Sequence, residues 1–143
     1  VAGDNPFNST TAEIYVIRPD GTGLTRLTFN NEEERAPSWS PDGTRIVFMC
    51  RRGKPTFEIC VMNADGTGQE VQLTDNALHD ATPTFSPDGQ KIVFHRTLGA
   101  GQGTELFLMN TDGTGQTRLT DTVGLNLFAN WGELRVKIPN PNH

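Results

Sequence analysis

Nowhere in the 143 residues do apolar side chains run for the roughly 18 positions that a membrane-crossing helix needs, and a basic and apolar leader is not expected from the residues at the start. Insertion into a membrane is not expected. Basic residues are also scarce: 12 Lys and Arg against 17 Asp and Glu leave a net charge of -5, the wrong balance for gripping phosphates, so nucleic acid is not an expected partner. Only three His are present, scattered, where a metal-dependent lyase would need several together, and no nucleophile elbow or paired-His zinc motif occurs. Helical signal is missing as well. The longest stretch free of Gly and Pro, Gln69 to Thr82, carries no apolar stripe at helical spacing.

What is abundant is turn chemistry, with 15 Gly and 9 Pro, arranged in repeats. Leu27-Thr28, Leu73-Thr74 and Leu119-Thr120 recur at spacings of 46 and 46, as do Trp39, Phe85 and Trp131. Between them stand Ser40-Pro41-Asp42-Gly43 and Ser86-Pro87-Asp88-Gly89, and Asp-Gly-Thr-Gly occurs at 20–23, 65–68 and 112–115. Asp-Gly between apolar runs marks a tight hairpin, since Gly accepts positive φ and Asp bonds its own backbone. The flanking runs, such as Ile46-Val47-Phe48-Met49 and Glu58-Ile59-Cys60-Val61-Met62, read as short strands that are apolar at successive positions. Such strands are covered on both faces. Four strands per unit, stacked between copies of themselves, describe the blades of an all-β propeller. From the inside outward, strand A carries the Trp or Phe, B the Ile-Val-Phe run, C the Glu-Ile or Glu-Leu run, and D the Leu-Thr pair.

The pattern Pro-x-(Trp/Phe)-Ser-Pro-Asp-Gly, then Ile-Val-Phe, Glu-Ile-x-x-Met-Asn-x-Asp-Gly and Leu-Thr resembles the TolB-type propeller repeat, a WD-repeat-like unit of bacterial envelope proteins. The resemblance runs from Glu13 to Trp131 and rests on Trp39, Asp42, Gly43, Phe85, Asp88, Gly89 and Trp131, residues of structural use. It implies a six-bladed ring and a periplasmic or extracellular location.

The reading of the chain is an irregular segment at 1–12, strands C and D at 13–28, full blades at 36–74 and 82–120, strands A and B at 128–138, and a tail at 139–143. That totals three blades, whereas propellers close with about four to eight. A homodimer in which the last A and B strands of one chain join the first C and D strands of another closes six blades. A chain cut from a longer propeller would show the same two open ends.

No catalytic constellation emerges, so a non-catalytic module binding a protein or peptide is the expected function; the alternative is the propeller portion of a carbohydrate- or peptide-processing lyase or hydrolase. The candidate binding residues are Glu34, His79, Asp80 and Asn126, expected in the D to A loops at the channel mouth. Glu34, Asp80 and Asn126 each precede the strand A aromatic by five residues, so symmetry directs them toward one axis. No cofactor or metal is expected from motifs, calcium being the ion that hard oxygen ligands in that mouth would favour. Cys50 and Cys60 flank one B to C connection, which permits a cross-strand disulfide, while each also serves as a small buried apolar residue.

Overall fold

The computed structural model describes residues 12–121 and Trp131. Among these lie no helix and ten strands: β1 (Tyr15–Val16), β2 (Thr25–Arg26), β3 (Glu34–Trp39), β4 (Arg45–Cys50), β5 (Glu58–Asn63), β6 (Val71–Gln72), β7 (His79–Phe85), β8 (Lys91–Thr97), β9 (Thr104–Asn110) and β10 (Thr117–Arg118). They form a β1-β2 pair and two four-stranded antiparallel sheets, β3-β4-β5-β6 and β7-β8-β9-β10. Asn126, the strands expected at 128–138, the amino-terminal residues before Ala12 and the tail lie outside the described residues, apart from Trp131, which is half-buried.

Two boundaries differ from the reading of the sequence. The Leu-Thr pairs lie just beyond the outer strands, and the inner strands begin earlier, so that Glu34, His79 and Asp80 are strand residues and not loop residues. The cause is a bulge. Between Arg35 and Ser38, and again between Ala81 and Thr84, two residues oppose one on the neighbouring strand, with Ala36 and Thr82 at φ of 49° and 45°. This break interrupts the side-chain alternation without ending the ladder, so the polar residues before it still pair.

The polar residues of the motifs have bonds that explain them. In Ser-Pro-Asp-Gly, the Ser40 hydroxyl donates to Asp42 Oδ1 at 2.6 Å while Arg45 N donates to Ser40 Oγ at 2.9 Å, and Ser86, Asp88 and Lys91 repeat the arrangement at 2.5 and 2.9 Å. Hydrogen bonds from Ser40 and Thr44 hold the Asp42 carboxyl down at about 2. The Leu-Thr pairs do similar work at the other end of each sheet. Backbone N–H of Ile14, Ile59 and Leu106 donates to Oγ1 of Thr28, Thr74 and Thr120 at 2.9 Å each. Those hydroxyls in turn donate to Glu13, Glu58 and Glu105. A buried carboxylate, a threonine and a strand amide thus bind strand C to strand D three times over.

Alternate residues of the second sheet serve two cores. Val47, Ile59 and Val61 pack with Phe85, Ile92, Phe94 and Met109 of the third sheet, whereas Ile46, Phe48, Cys50, Cys60 and Met62 pack with Ile14 beside the β1-β2 pair. Cys50 and Cys60 form a disulfide with Cα atoms 5.9 Å apart. They are diagonal and not opposite, since Cys50 pairs with Glu58 and Cys60 with Phe48. In the third sheet the matching place is filled by Arg96, whose guanidinium lies 4.7 Å from the Phe107 ring and 5.3 Å from that of Phe94.

The Asp-Gly-Thr-Gly turn of one sheet also rests on the preceding sheet. Gly113, at φ of 87°, sits so close that a Cβ would lie 2.5 Å from the Leu73 carbonyl oxygen, while Gly21, at φ of 82° in the corresponding turn, faces open space. Gly21→Ala therefore carries only the left-handed backbone cost, about 1 kcal/mol, whereas Gly113→Ala adds a backbone clash and is expected to cost at least about 2 kcal/mol. Urea melts of the two variants check this; equal losses would show that the sheets separate at that turn.

Candidate binding face

The segments entering β3 and β7 and the β4-β5 connection meet on one side of the molecule. Glu34 N donates to the Ala12 carbonyl at 2.8 Å and Asp80 N to the Phe57 carbonyl at 2.9 Å, so each inner strand is tied to the sheet before it at an equivalent position. The Phe57 amide donates to His79 Nδ1 at 3.2 Å, and the two rings stand edge to face with centroids 5.4 Å apart. His79 consequently acts as an acceptor there. Arg51 and Arg35 lie over the Phe57 ring at 4.4 and 5.7 Å, and both pair with Glu33. Lys54 pairs with Asp75 across the same surface.

Below this layer the other two sequence candidates are buried. Asp80 is 0% exposed and Glu34 1%, so neither projects as a solvated carboxylate into an open mouth. Asp80 takes Arg96 on both oxygens, Nε to Oδ1 at 2.6 Å and an amino nitrogen to Oδ2 at 2.8 Å, with Asn76 Nδ2 donating at 2.9 Å. Glu34 Oε1 accepts from Asn30 Nδ2 at 2.8 Å and from Arg52 at 3.2 Å. These partners explain the placement, since a buried charge persists where it is paired and hydrogen-bonded. Among the described residues, no group of three or more His, Cys, Asp and Glu converges as metal ligands. His95 is buried and bonded to Thr82 at the bulge, and burial holds its ring below the ordinary histidine range.

The sequence reading missed Asn30 and Asn76, although they are 46 residues apart, because Asn reads as turn chemistry. Each binds an amide two residues on, of Glu32 at 2.8 Å and Leu78 at 2.7 Å, and donates to the carboxylate four residues on. The two seams differ in one charge. Arg96 also donates to Gln116 Oε1 at 3.0 Å, whereas Arg52 meets Glu70 at that place. Burial and then the Glu34 carboxylate push Glu70 up, with Arg52 opposing. A raised carboxyl stabilises the fold below its unfolded value and loses that contribution as pH rises through the folded value. Glu70→Gln is therefore expected to raise Tm by a few degrees at pH 7, and the gap to wild type should vanish below about pH 4.5, near the ordinary glutamate value. Thermal melts across pH test this; a lower Tm at pH 7 would mean that the Arg52 pair outweighs the repulsion.

Radially stacked, antiparallel sheets whose inner strands carry the entry loops define a β-propeller-type protein, all-β among the described residues. A family model described as the TolB beta propeller domain matches residues 7–135, and the chain belongs to that family. It is 41% identical over 58 residues to a Protein TolB homolog of Chlorobium luteolum, covering 40% of this chain and 13% of that protein. It is also 38% identical over 50 residues to Dipeptidyl-peptidase 5 of Porphyromonas gingivalis, covering 35% and 7%. A solved structure assigned as TolB from Agrobacterium tumefaciens superposes with a TM-score of 0.70 at 30% identity, over 78% of this chain and 42% of that one. The chain thus spans less than half the length of these relatives.

Proposed function

We propose that this chain is a non-catalytic propeller module of the bacterial envelope that binds a protein or peptide partner through the face bearing His79, Arg35, Arg51 and Lys54. The supporting observation is a division among polar residues. Those that recur every 46 positions, such as Ser40 and Ser86 or Thr28, Thr74 and Thr120, are bonded within the frame. At the strand entries, by contrast, polar residues change between equivalent positions, Glu33 for His79 and Arg35 for Ala81. A rigid frame with variable entry segments suits recognition. In this reading His79 and the surface cations contact the partner, while Glu34 and Asp80 hold their segments in place through Arg52 and Arg96. Asn126 continues the Glu34 and Asp80 series by spacing alone. The Cys50–Cys60 disulfide supports a periplasmic or extracellular compartment, since such bonds persist where conditions are oxidising.

The module functions as a closed ring of six blades made from two copies. Supporting this, the β1-β2 pair stands beside two four-stranded sheets, and Ile17, Leu24 and Phe29 around it are exposed at 52%, 43% and 77%. Bare apolar surface of this kind invites association.

A photo-crosslinking residue at Lys54 is expected to capture one partner from a periplasmic extract, while the same residue at Gln90, in the turn at the other end of a sheet, captures none. Equal capture at both positions would overturn the assignment of the face. Cleavage of a peptide or an oligouronide that disappears with His79→Ala would overturn the non-catalytic reading in favour of a hydrolase or lyase.

A further inference from the structure

The second sheet departs from the repeat at its outer turn. Leu27 follows Asp20 by seven residues and Leu119 follows Asp112 by seven, whereas Leu73 follows Asp65 by eight, so this turn carries one residue more. It also stands farther from the preceding sheet. A Cβ on Gly113 would lie 2.5 Å from the Leu73 carbonyl oxygen, while one on Gly66, at the same place of its turn, would meet nothing nearer than Leu27 Cδ2 at 3.4 Å. Beside the longer turn lies a cavity of about 330 Å³ walled by Leu27, Met62, Asn30, Arg52, Gln69 and Glu70. Leu27 follows β2, and the other five belong to the second sheet and its connections.

Charge at this cavity does not balance among the described residues. Asn30 Nδ2 donates to Glu34 Oε1 at 2.8 Å and to Glu70 Oε1 at 3.3 Å, and Arg52 also serves both carboxylates, so two anions share one guanidinium. In the following sheet the place of Glu70 is held by the neutral Gln116. Glu34 Oε2 is buried and accepts no hydrogen bond, a state explained by a donor or cation supplied from outside the chain. A metal ion fits poorly, because it asks for several oxygen ligands and would face the guanidinium. An ammonium has three N–H donors, needs fewer acceptors and carries an apolar chain. We infer that this cavity binds a primary alkylammonium group, its charge balancing Glu70 and its chain lying against Leu27 and Met62. The inference is independent of the entry face and of ring closure.

Met62 is one of three methionines, and the other two, Met49 and Met109, do not line the cavity. In the full chain labelled at its methionine methyls, n-butylammonium is expected to shift the Met62 signal saturably, with a Kd of about 1 mM for so small an ion, and to leave the signals of Met49 and Met109 in place. n-Butyrate should shift none. Glu70→Gln, the more stable protein by the expectation above, should weaken binding at least about tenfold. Deleting Gln69 gives the turn the length of its siblings and should close the cavity, abolishing binding with Glu70 still present. Should that deletion fail to fold, the Glu70→Gln result decides alone. A capped Gly-Lys-Gly peptide distinguishes the source of the group: tighter binding than n-butylammonium names a partner's lysine, weaker binding a free amine, and either supports the site. No saturable shift, an equal response to n-butyrate, an affinity unchanged by Glu70→Gln, or saturation by calcium and not by the ammonium would each overturn the inference.

Discussion

Arg96→Ala is expected to lower the unfolding free energy by about 3–5 kcal/mol, because it leaves a buried carboxylate without its cation. Asp80 is 0% exposed and the Arg96 side chain 12%, so solvent screens the pair little. The same substitution uncovers the rings of Phe94 and Phe107, over which the guanidinium lies. Arg96→Lys should recover only part of the loss, since an ammonium cannot grip two oxygens in one plane. Combining Asp80→Asn with Arg96→Leu should recover more, because no charge is then left buried and unpaired. Urea denaturation at pH 7 measures all three. A loss below about 1 kcal/mol for Arg96→Ala would place the pair in the range of solvated surface bridges.

The second large effect is expected at the disulfide. Cys50 and Cys60 are 10 residues apart in sequence, and releasing a loop of that size costs about 2–3 kcal/mol through the entropy of the unfolded chain. Replacing both by Ala removes the crosslink and also leaves a void, since both are 0% exposed beside Ile14 and Phe48. Against a usual total of about 5–15 kcal/mol this is a large fraction. The loss should be local at first. Hydrogen exchange in the double variant is expected to rise in β1, β4 and β5 before β7, β8 and β9, whose shared core contains neither cysteine. Uniform loosening would show that the sheets open as one unit.

These two sites occupy one position of the repeat. Cys50 stands where Arg96 stands, and Cys60 where Phe107 stands, each pair crossing from strand B to strand C. In the third sheet the crossing is a cation over a ring, which also neutralises Asp80. In the second it is covalent, so the cation for Glu34 must come from elsewhere and does, from Arg52 in the connection. This substitution explains why spacing reveals the carboxylates but not their surroundings. A period of 46 reveals what repeats, and the two arginines do not occupy repeating positions.

Sequence by itself determined the class of fold, the strands and the turns, because these depend on near neighbours: Asp42 binds the amide of Thr44, and apolar residues at successive positions require cover on both faces. It also related Glu34, Asp80 and Asn126 by spacing and grouped His79 with them. Only the tertiary structure decided that Glu34, His79 and Asp80 are strand residues behind a bulge, that Glu34 and Asp80 are buried and paired, and that His79 accepts from Phe57. Partners for a charge are drawn from separate elements brought together by packing, and the cost of burying it depends on those partners. Local sequence carries no record of that distance.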